Sequence, residues 1–232
     1  MTLRPPIQIE HVSKKFTLKN KVIDIVENVS VTFPQNKLIA IIGASGSGKS
    51  TFLNLLGGLD KPNSGSIFIN DTDITTMNEK KLAQLRNKHI GFIFQQPQLI
   101  GELTTLENVI LPAYILKTRH QQAYHHAQYL LERTRLNYRK DHLSGELSGG
   151  EMQRAVIARA LINNPKIILA DEPTGNLDKN NALEIFMLLK ELSMQKQVTV
   201  IMVTHDLNLA RKADVIYELR NHSLYTAKVI SK

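Results

Sequence analysis

Cysteine is absent from this chain of 232 residues, which excludes disulfide bonds, thiolate zinc sites and cysteine-based catalysis. Long apolar runs are also missing, since none approaches the roughly 20 residues that a membrane-spanning helix needs. The N-terminus, Met1 to Ile7, has no apolar stretch of signal-peptide length. We therefore expect a globular protein that does not itself cross a bilayer.

Blocks of charge of one sign are missing as well. Lys and Arg exceed Asp and Glu by 29 − 21 = 8, but the basic residues are scattered along the chain, as at Lys14, Lys80 and Arg133. Such scatter is typical of a solvated surface. Contact with the anionic surface of a cytoplasmic membrane leaflet is the alternative.

What the chain does contain is a pattern typical of an α/β fold. Apolar and polar residues alternate from Ile7 to Phe33, which predicts antiparallel strands. Leu38–Ile42 is a continuous apolar run of the kind found in buried parallel strands. Helical periodicity replaces the β signal between about residues 97 and 155, so we expect one domain, 1–232, with a helical insertion there. Further helices are predicted at 50–56, 78–87, 106–116, 121–136, 151–162 and 181–192, and strands at 66–69, 90–94, 167–169, 198–203, 215–219 and 224–226.

A glycine-rich loop follows the Leu38–Ile42 strand. It matches the phosphate-binding pattern G-x-x-x-x-G-K-[ST] and precedes a predicted helix, the context that this motif requires. Its backbone N–H groups point into one concavity, toward which the helix turns the positive end of its dipole. Lys49 adds a cation at the β- and γ-phosphates, and Ser50 supplies a hydroxyl to Mg²⁺, a hard ion. The residues assigned to nucleotide binding here are Gly43, Ala44, Ser45, Gly46, Ser47, Gly48, Lys49, Ser50 and Thr51.

Two carboxylates, Asp171 and Glu172, follow the apolar strand that begins at Ile167. Because neighbouring strand residues face opposite ways, we do not expect the two carboxylates to share one role. Taken alone, they would be solvated side chains at a strand end. The phosphate-binding loop and Pro173-Thr-Gly-Asn-Leu-Asp178 change that interpretation. Two further segments stand out: Thr204-His205-Asp206 follows another apolar strand, and Leu147-Ser-Gly-Gly-Glu151 opens a predicted helix.

Together these segments resemble the nucleotide-binding subunit of an ABC transporter, and the resemblance covers nearly the whole chain. It implies an α/β P-loop NTPase fold of the ABC type, with an antiparallel β subdomain and a helical subdomain that carries the signature segment Leu147–Glu151. The implied activity is ATP hydrolysis, with ATP and Mg²⁺ as cofactors. In this family Ser148, Gly149 and Gly150 meet the nucleotide held by a second copy, so that ATP lies between two subunits.

The resemblance also implies roles for polar residues around the phosphates. Asp171 is expected to help hold Mg²⁺, together with Ser50 and Gln95, and Glu172 is expected to polarise the attacking water. The glutamine assignment rests on the family register, and its neighbour Gln96 is the alternative.

Three more residues receive roles by the same resemblance. His205 is expected to hydrogen-bond the γ-phosphate, and the other seven histidines are expected to be surface residues. Phe16 is expected to stack on adenine, with burial in the core of the β subdomain as the alternative. Asp178 is expected to link the two nucleotide sites across the dimer.

Within the ABC family, the chain looks most like the lipoprotein-releasing (LolD) and macrolide-exporter (MacB) group of ATPases. The segments behind this impression are Leu55–Asp60, Leu85–Asn87, Leu106–Val109, Glu146–Glu151, Ala160–Pro165 and Ala170–Asp178. The resemblance implies a bacterial source, a peripheral place on the cytoplasmic face of the inner membrane, and separate permease subunits of the MacB, LolC or LolE type. The output would be lipoprotein release or related export.

Two other functions stay open at this point. An FtsE-like ATPase would signal to a cell-wall regulatory complex instead of transporting a substrate. A nucleic-acid-associated ABC ATPase is less favoured, since the segment from Ser50 to Leu147 has room for a small helical insertion but not for long coiled coils. We therefore expect no nucleic-acid partner.

An apolar segment follows Gln95 closely. Leu99, Ile100, Leu103 and Leu106 either pack the helical insertion onto the core or line a groove for a short cytoplasmic helix of the permease.

Overall fold

The computed structural model describes residues 6–19, 21–195 and 198–227. The strands are β1 Ile7–Leu18, β2 Lys21–Phe33, β3 Leu38–Ile42, β4 Ser64–Ile69, β5 Thr72–Asp73, β6 Ile90–Ile93, β7 Ile167–Asp171, β8 Thr199–Val203, β9 Val215–Arg220 and β10 Ser223–Thr226. The α-helices are α1 Lys49–Leu56, α2 Glu79–His89, α3 Thr105–Ile115, α4 His120–Arg133, α5 Gly149–Leu161, α6 Lys179–Gln195 and α7 Leu207–Ala210. Within the described ranges, no helix combines the length and the apolar character that crossing a bilayer requires.

A six-stranded sheet forms the centre of the fold, in the order β10-β9-β3-β8-β7-β6. β9, β3, β8, β7 and β6 run parallel, and β10 pairs antiparallel with β9 at one edge. Alternate residues of one strand enter two different cores: Ile39 and Ile41 pack toward α1 and the second sheet, whereas Leu38 and Ala40 pack toward α3–α6. This two-sided burial explains the uninterrupted apolar run of β3.

The predicted antiparallel subdomain is a four-stranded sheet in the order β2-β1-β4-β5. The sequence pattern breaks into separate short runs between Ile7 and Phe33, but the structure joins them into one long hairpin of β1 and β2. Register shifts, including one between Ile9 and Val12, interrupt the alternation of apolar and polar residues. The sequence pattern therefore predicts shorter strands than those that the structure contains.

Helices α3, α4 and α5 pack together beside the central sheet. α4 ends at Arg133 and not at Leu136 as predicted, because the chain leaves the helix at Thr134 and Arg135 has a left-handed φ of 56°. α5 runs to Leu161, past the expected limit of about 155, so the extent of the helical subdomain stays a prediction.

Candidate active site

The glycine-rich loop lies between β3 and α1 and forms one wall of a cavity of about 680 Å³. The Lys49 ammonium donates hydrogen bonds to the carbonyls of Gly43 and Ala44, each at 2.9 Å, and its side chain is almost fully buried. The residues that line the cavity are Ile25, Ser45, Gly46, Gly48, Lys49, Ser50, Thr51, Gln95, Glu172 and His205. The loop thus places one cation on the cavity wall, and a glycine-rich loop of this kind suits a polyphosphate.

Gly48 shows why this loop requires glycine. Its φ of 95° lies in the left-handed region, and a Cβ at this position would collide with the side chain of Ile25 on β2. Ile25 lines the cavity, yet no sequence motif marks it. Ser47, by contrast, turns its hydroxyl into the protein, where it is buried without a hydrogen-bond partner among the described residues.

Ser50 and Asp171 form the part of the site that fits a divalent cation. The Ser50 hydroxyl donates to Asp171 Oδ1 at 2.9 Å, which joins the start of α1 to the end of β7. Burial raises the pKa of the Asp171 carboxyl, and the Ser50 hydrogen bond partly offsets this. A carboxylate that has lost solvation and a hydroxyl at its side are oxygen donors suited to Mg²⁺. In the described ranges no group of three His, Asp or Glu residues forms a metal cage, so phosphate and water would have to complete the coordination.

Glu172 adopts a strained backbone conformation, with a φ of 45°. Its N–H donates to the carbonyl of Val203 on β8 at 3.1 Å, while its carboxylate turns into the cavity. There Oε2 lies 3.0 Å from Nδ1 of His205, whose side chain is 68% exposed. The ends of β7 and β8 therefore place a carboxylate and an imidazole side by side, facing the phosphate loop.

Gln95 follows β6 and also lines the cavity, whereas Gln96 is not among the described residues that do so. The Gln95 carbonyl accepts a hydrogen bond from the Asn176 side chain at 3.3 Å, which ties the two loops together. The geometry thus favours Gln95 over its neighbour.

Phe16 is not a core residue, because 39% of its surface is exposed. Phe16 lies on β1 opposite Ile23 of β2, and the Lys14 ammonium lies 4.7 Å from the centroid of the Phe16 ring. Phe16 does not belong to the described lining of the phosphate cavity. Its ring is nevertheless open to a planar ligand, and Ile23 lies two residues before the cavity residue Ile25.

The signature segment opens α5 outside this cavity. The Ser148 hydroxyl accepts from the N–H of Glu151, and the Glu151 carboxylate accepts from the N–H of Ser148 at 2.8 Å. Tyr138 and Arg139 donate to the same carboxylate. The hydrogen bond from the Ser148 backbone is the main cause that lowers the pKa of Glu151 to about 2, despite the opposing effect of burial. Ser148 and Gly149 are exposed, while Gly150 is buried.

Asp178 lies beside the signature and caps α6. Its carboxylate accepts from the N–H groups of Asn180 and Asn181 at 3.0 and 3.1 Å, and from the Asn181 side chain. These bonds, led by that of the Asn181 side chain, lower the pKa of Asp178. Asn181 in turn lies against Gly150. The structure thus assigns Asp178 a capping role within its own chain, and its role across a dimer stays a prediction.

A second cavity, of about 520 Å³, opens between α2 and α3; we call it the α2–α3 groove. Its lining is mainly apolar and consists of Leu59, Ala83, Arg86, Asn87, Ile90, Gly91, Phe92, Phe94, Gln98, Leu111, Pro112, Ile115, Arg159, Ala160 and Asn163. The apolar segment expected to form a groove is not part of this lining in the described chain. Leu106 belongs to the core and Leu99 packs against it, so these two follow the core-packing alternative. Phe94 lies in the groove and the next residue, Gln95, lies in the phosphate cavity.

Comparisons with known proteins agree with this geometry. The ABC transporter family profile matches residues 26–175. The chain is 46% identical over 215 residues to the lipoprotein-releasing system ATP-binding protein LolD of Saccharophagus degradans, covering 93% of this chain and 94% of that protein. It is 44% identical to the macrolide export ATP-binding/permease protein MacB of Vibrio parahaemolyticus, over 93% of this chain and 33% of that longer protein.

Solved structures give the same result. The ATP-binding cassette MJ0796, in a dimeric post-hydrolysis state bound to ADP and Pi, matches with a TM-score of 0.88 and 38% identity, over 97% of this chain and 100% of that chain. The identity, the coverage and the phosphate cavity lead to one conclusion. The chain belongs to the ABC transporter family and is an ATP-binding, ATP-hydrolysing cassette.

Proposed function

We propose that this ATPase drives a bacterial inner-membrane complex that releases lipoproteins from the membrane or performs related export. The main support for the proposal is the phosphate cavity. Lys49, Ser50 and Glu172 line it, whereas the signature residue Ser148 lies outside it. Such a site needs a second copy to be complete. The identities of 46% and 43% to LolD proteins of Saccharophagus degradans and Blochmanniella floridana support lipoprotein release as the output.

In the proposed mechanism, the Lys49 ammonium exchanges its bonds to the Gly43 and Ala44 carbonyls for bonds to the β- and γ-phosphates. The α1 N-terminus adds backbone N–H donors to the same phosphates. Ser50, Asp171 and Gln95 would hold Mg²⁺, which when bound neutralises charge on the phosphates.

Glu172 and His205 act on the water and the γ-phosphate in this proposal. Glu172 accepts a hydrogen bond from the attacking water and takes its proton, which raises the nucleophilicity of the oxygen. His205, whose Nδ1 lies 3.0 Å from Glu172 Oε2, hydrogen-bonds the γ-phosphate in this proposal. The strained backbone of Glu172 is consistent with a position that function requires.

The second copy supplies the other half of each site. Ser148 and Gly149 are exposed at the start of α5, where the helix dipole and the N–H groups of Gly149 and Gly150 favour an anion. We propose that they contact the γ-phosphate held by the partner subunit, while Phe16 stacks on adenine within its own subunit. Asp178, next to the signature, would connect the two sites.

Separate permease subunits, of the LolC, LolE or MacB type, would dock in the α2–α3 groove. A short helix with apolar side chains fits such a lining. The groove touches the phosphate site through consecutive residues, Phe94 and Gln95, so ATP occupancy and docking would influence each other. This chain would then be a peripheral subunit at the cytoplasmic face of the inner membrane.

Ile115→Glu tests this docking. Ile115 is 67% exposed in the groove, so a carboxylate there should leave the isolated subunit folded and able to hydrolyse ATP, but unable to assemble with the permease. Met194→Glu, at a residue on α6 that is 63% exposed, is the matched control. Assembly is measured by co-purification from solubilised membranes, and release by transfer of labelled lipoprotein from proteoliposomes.

Normal assembly of the Ile115→Glu variant would move the docking site elsewhere. If the wild-type complex assembles but releases no lipoprotein when ATP is added, related export or FtsE-like signalling would be favoured.

A further inference from the structure

Arg159 is a cation in the wall of the α2–α3 groove that holds the loop after Gln95. It lies on α5, and its guanidinium donates to the carbonyl of Gln98 at 2.8 Å and to the carbonyl of Pro97 at 2.9 Å. A guanidinium has five N–H donors, so these two bonds leave further donors in a side chain that lines the groove.

No carboxylate neutralises this cation among the residues that the structure describes. Other arginines of the same region have such a partner: Arg86, also in the groove, lies 3.7 Å from a carboxylate oxygen of Glu79, and Arg139 lies 3.0 Å from Glu151. Burial lowers the pKa of Arg159, and no carboxylate in the described ranges offsets this effect. Arg159 is partly buried, and the hydrogen-bond partners of its guanidinium among the described residues are neutral carbonyls, so pairing with an anion would stabilise the charge.

The surroundings of Arg159 are complementary to an acidic apolar helix. The described lining of the groove contains Arg86 and Arg159 but no Asp or Glu. Phe92 and Phe94 stack in it with ring centroids 5.7 Å apart, which provides an apolar surface. Exposed Lys88 and Lys117 follow the lining residues Asn87 and Ile115 closely in the chain. Charge complementarity therefore selects an occupant that carries negative charge beside its apolar anchors.

We infer that the helix docked in the α2–α3 groove carries a carboxylate that pairs with the Arg159 guanidinium. This inference rests on the proposed docking of a permease and specifies the chemistry of the partner. The pair forms when the helix docks, and the docked helix then covers a charge that has no counterion among the residues that the structure describes.

The pair also links docking to the nucleotide site. Arg159 is bonded to Pro97 and Gln98, two and three residues after Gln95. A permease carboxylate that draws the guanidinium toward the groove therefore changes its hydrogen bonds to Pro97 and Gln98. Because this loop also holds Gln95 in the phosphate cavity, the position of Gln95 changes with it. Arg159 is thus a positioning residue for Gln95.

A double-mutant cycle tests the inference with the permease that co-purifies with this chain. Each Asp and Glu in the cytoplasmic helices of that permease is changed singly to Asn or Gln, and affinity for the purified subunit is measured in nanodiscs. One such change should weaken assembly by on the order of 30-fold with the wild-type subunit, yet have little further effect with Arg159→Met. Arg86→Met, which removes a groove arginine that already has a partner, is the control and should give additive effects.

If Arg159→Met does not fold, Arg159→Lys replaces it. A zero-length carbodiimide should then join the introduced amine to the same permease carboxylate, in a cross-link that maps to residue 159. Absence of any coupled carboxylate, or of this cross-link, overturns the inference. If Ile115→Glu still blocks assembly in that case, the proposed docking stands and only the acidic contact is wrong.

Discussion

Asp171 and Glu172 are adjacent in the sequence, yet their carboxylates contact different partners. Asp171 is the last residue of β7 and accepts from Ser50, whereas Glu172 leaves the strand with a left-handed φ and reaches His205. The alternation of strand side chains predicts that the two carboxylates separate. The strained backbone does not follow from the sequence, because it depends on the hydrogen bond from Glu172 to β8.

Glu172→Gln should bind ATP with an affinity close to that of the wild type but hydrolyse it about 10²–10⁴-fold more slowly. The amide keeps the shape of the side chain and leaves all phosphate-binding groups in place, but it cannot take a proton from water. Turnover and ATP affinity are measured separately, with Glu102→Gln, an exposed carboxylate outside the cavity lining, as the control. If Glu172→Gln hydrolysed ATP at nearly the wild-type rate, Glu172 would not be the general base.

The place of Ser45, Gly46, Gly48, Lys49, Ser50 and Thr51 at the cavity could be predicted because a local motif and one neighbouring strand determine it. Ile25 and Arg159 could not. Ile25 reaches the cavity only because β2 folds over the loop, and Arg159 reaches the groove only because α5 packs behind β6. Their importance comes from contacts between segments far apart in the chain, which no spacing records.

At the scale of elements, the helix that begins with the signature is held by one carboxylate. Glu151 closes the cap of α5 and receives bonds from Tyr138 and Arg139, with only 14% of its side chain exposed. This fixes the direction of α5, and with it the place of Ser148, relative to the turn that follows α4.

The Glu151 carboxylate should make the free energy of unfolding depend on pH in the acidic range. Its pKa is about 2 in the folded protein against 4.5 as its ordinary value, so its contribution is complete above about pH 4.5 and is lost as pH falls through about 2. Wild type should therefore exceed Glu151→Gln in free energy of unfolding at about pH 6, and the difference should narrow toward about pH 3. Urea denaturation measures this, with Glu132→Gln, an exposed carboxylate on α4, as the control. A difference that stays constant over this range would show that the Glu151 charge is not held as described.

Secondary structure was predictable where a single period persists, as in β3, α1 and the β9-β10 hairpin. The predicted bounds of strands and helices were wrong where the backbone departs from that period. The bulges of β1 divided one hairpin into apparent short strands, and the left-handed residue Arg135 ended α4 early. Both departures are set by local backbone geometry that periodicity does not encode.

At the scale of the molecule, the central sheet separates two functions. One face and its loops carry the phosphate cavity, and the helices α3–α5 on the other side carry the signature and a wall of the α2–α3 groove. In the proposed dimer, a single copy would therefore present two halves of different sites. The sequence reveals both halves as motifs, but their separation within one copy requires the structure.

Mixing two inactive variants tests this separation. Lys49→Ala should lose ATP binding, and Ser148→Arg should bind ATP without turnover. Their heterodimer places both lesions in one composite site and leaves the other site with every group it needs. Bound ATP in the mixture should include a fraction that is protected from exchange, and neither variant alone should show it. No protected ATP in the mixture would argue against sharing between copies.

The sharing of the nucleotide site between two copies is tested most directly by the mass of Glu172→Gln in the presence of ATP and Mg²⁺. Light scattering after gel filtration measures this mass, together with the amount of bound nucleotide. Dimerisation through shared nucleotide sites predicts a particle of twice the chain mass of 26.2 kDa that holds two ATP molecules. It also predicts that Glu172→Gln/Ser148→Arg binds ATP but stays monomeric, because the signature then cannot approach the partner's phosphates. A Glu172→Gln protein that remains monomeric with ATP, or a dimer that forms equally well with Ser148→Arg, would contradict it.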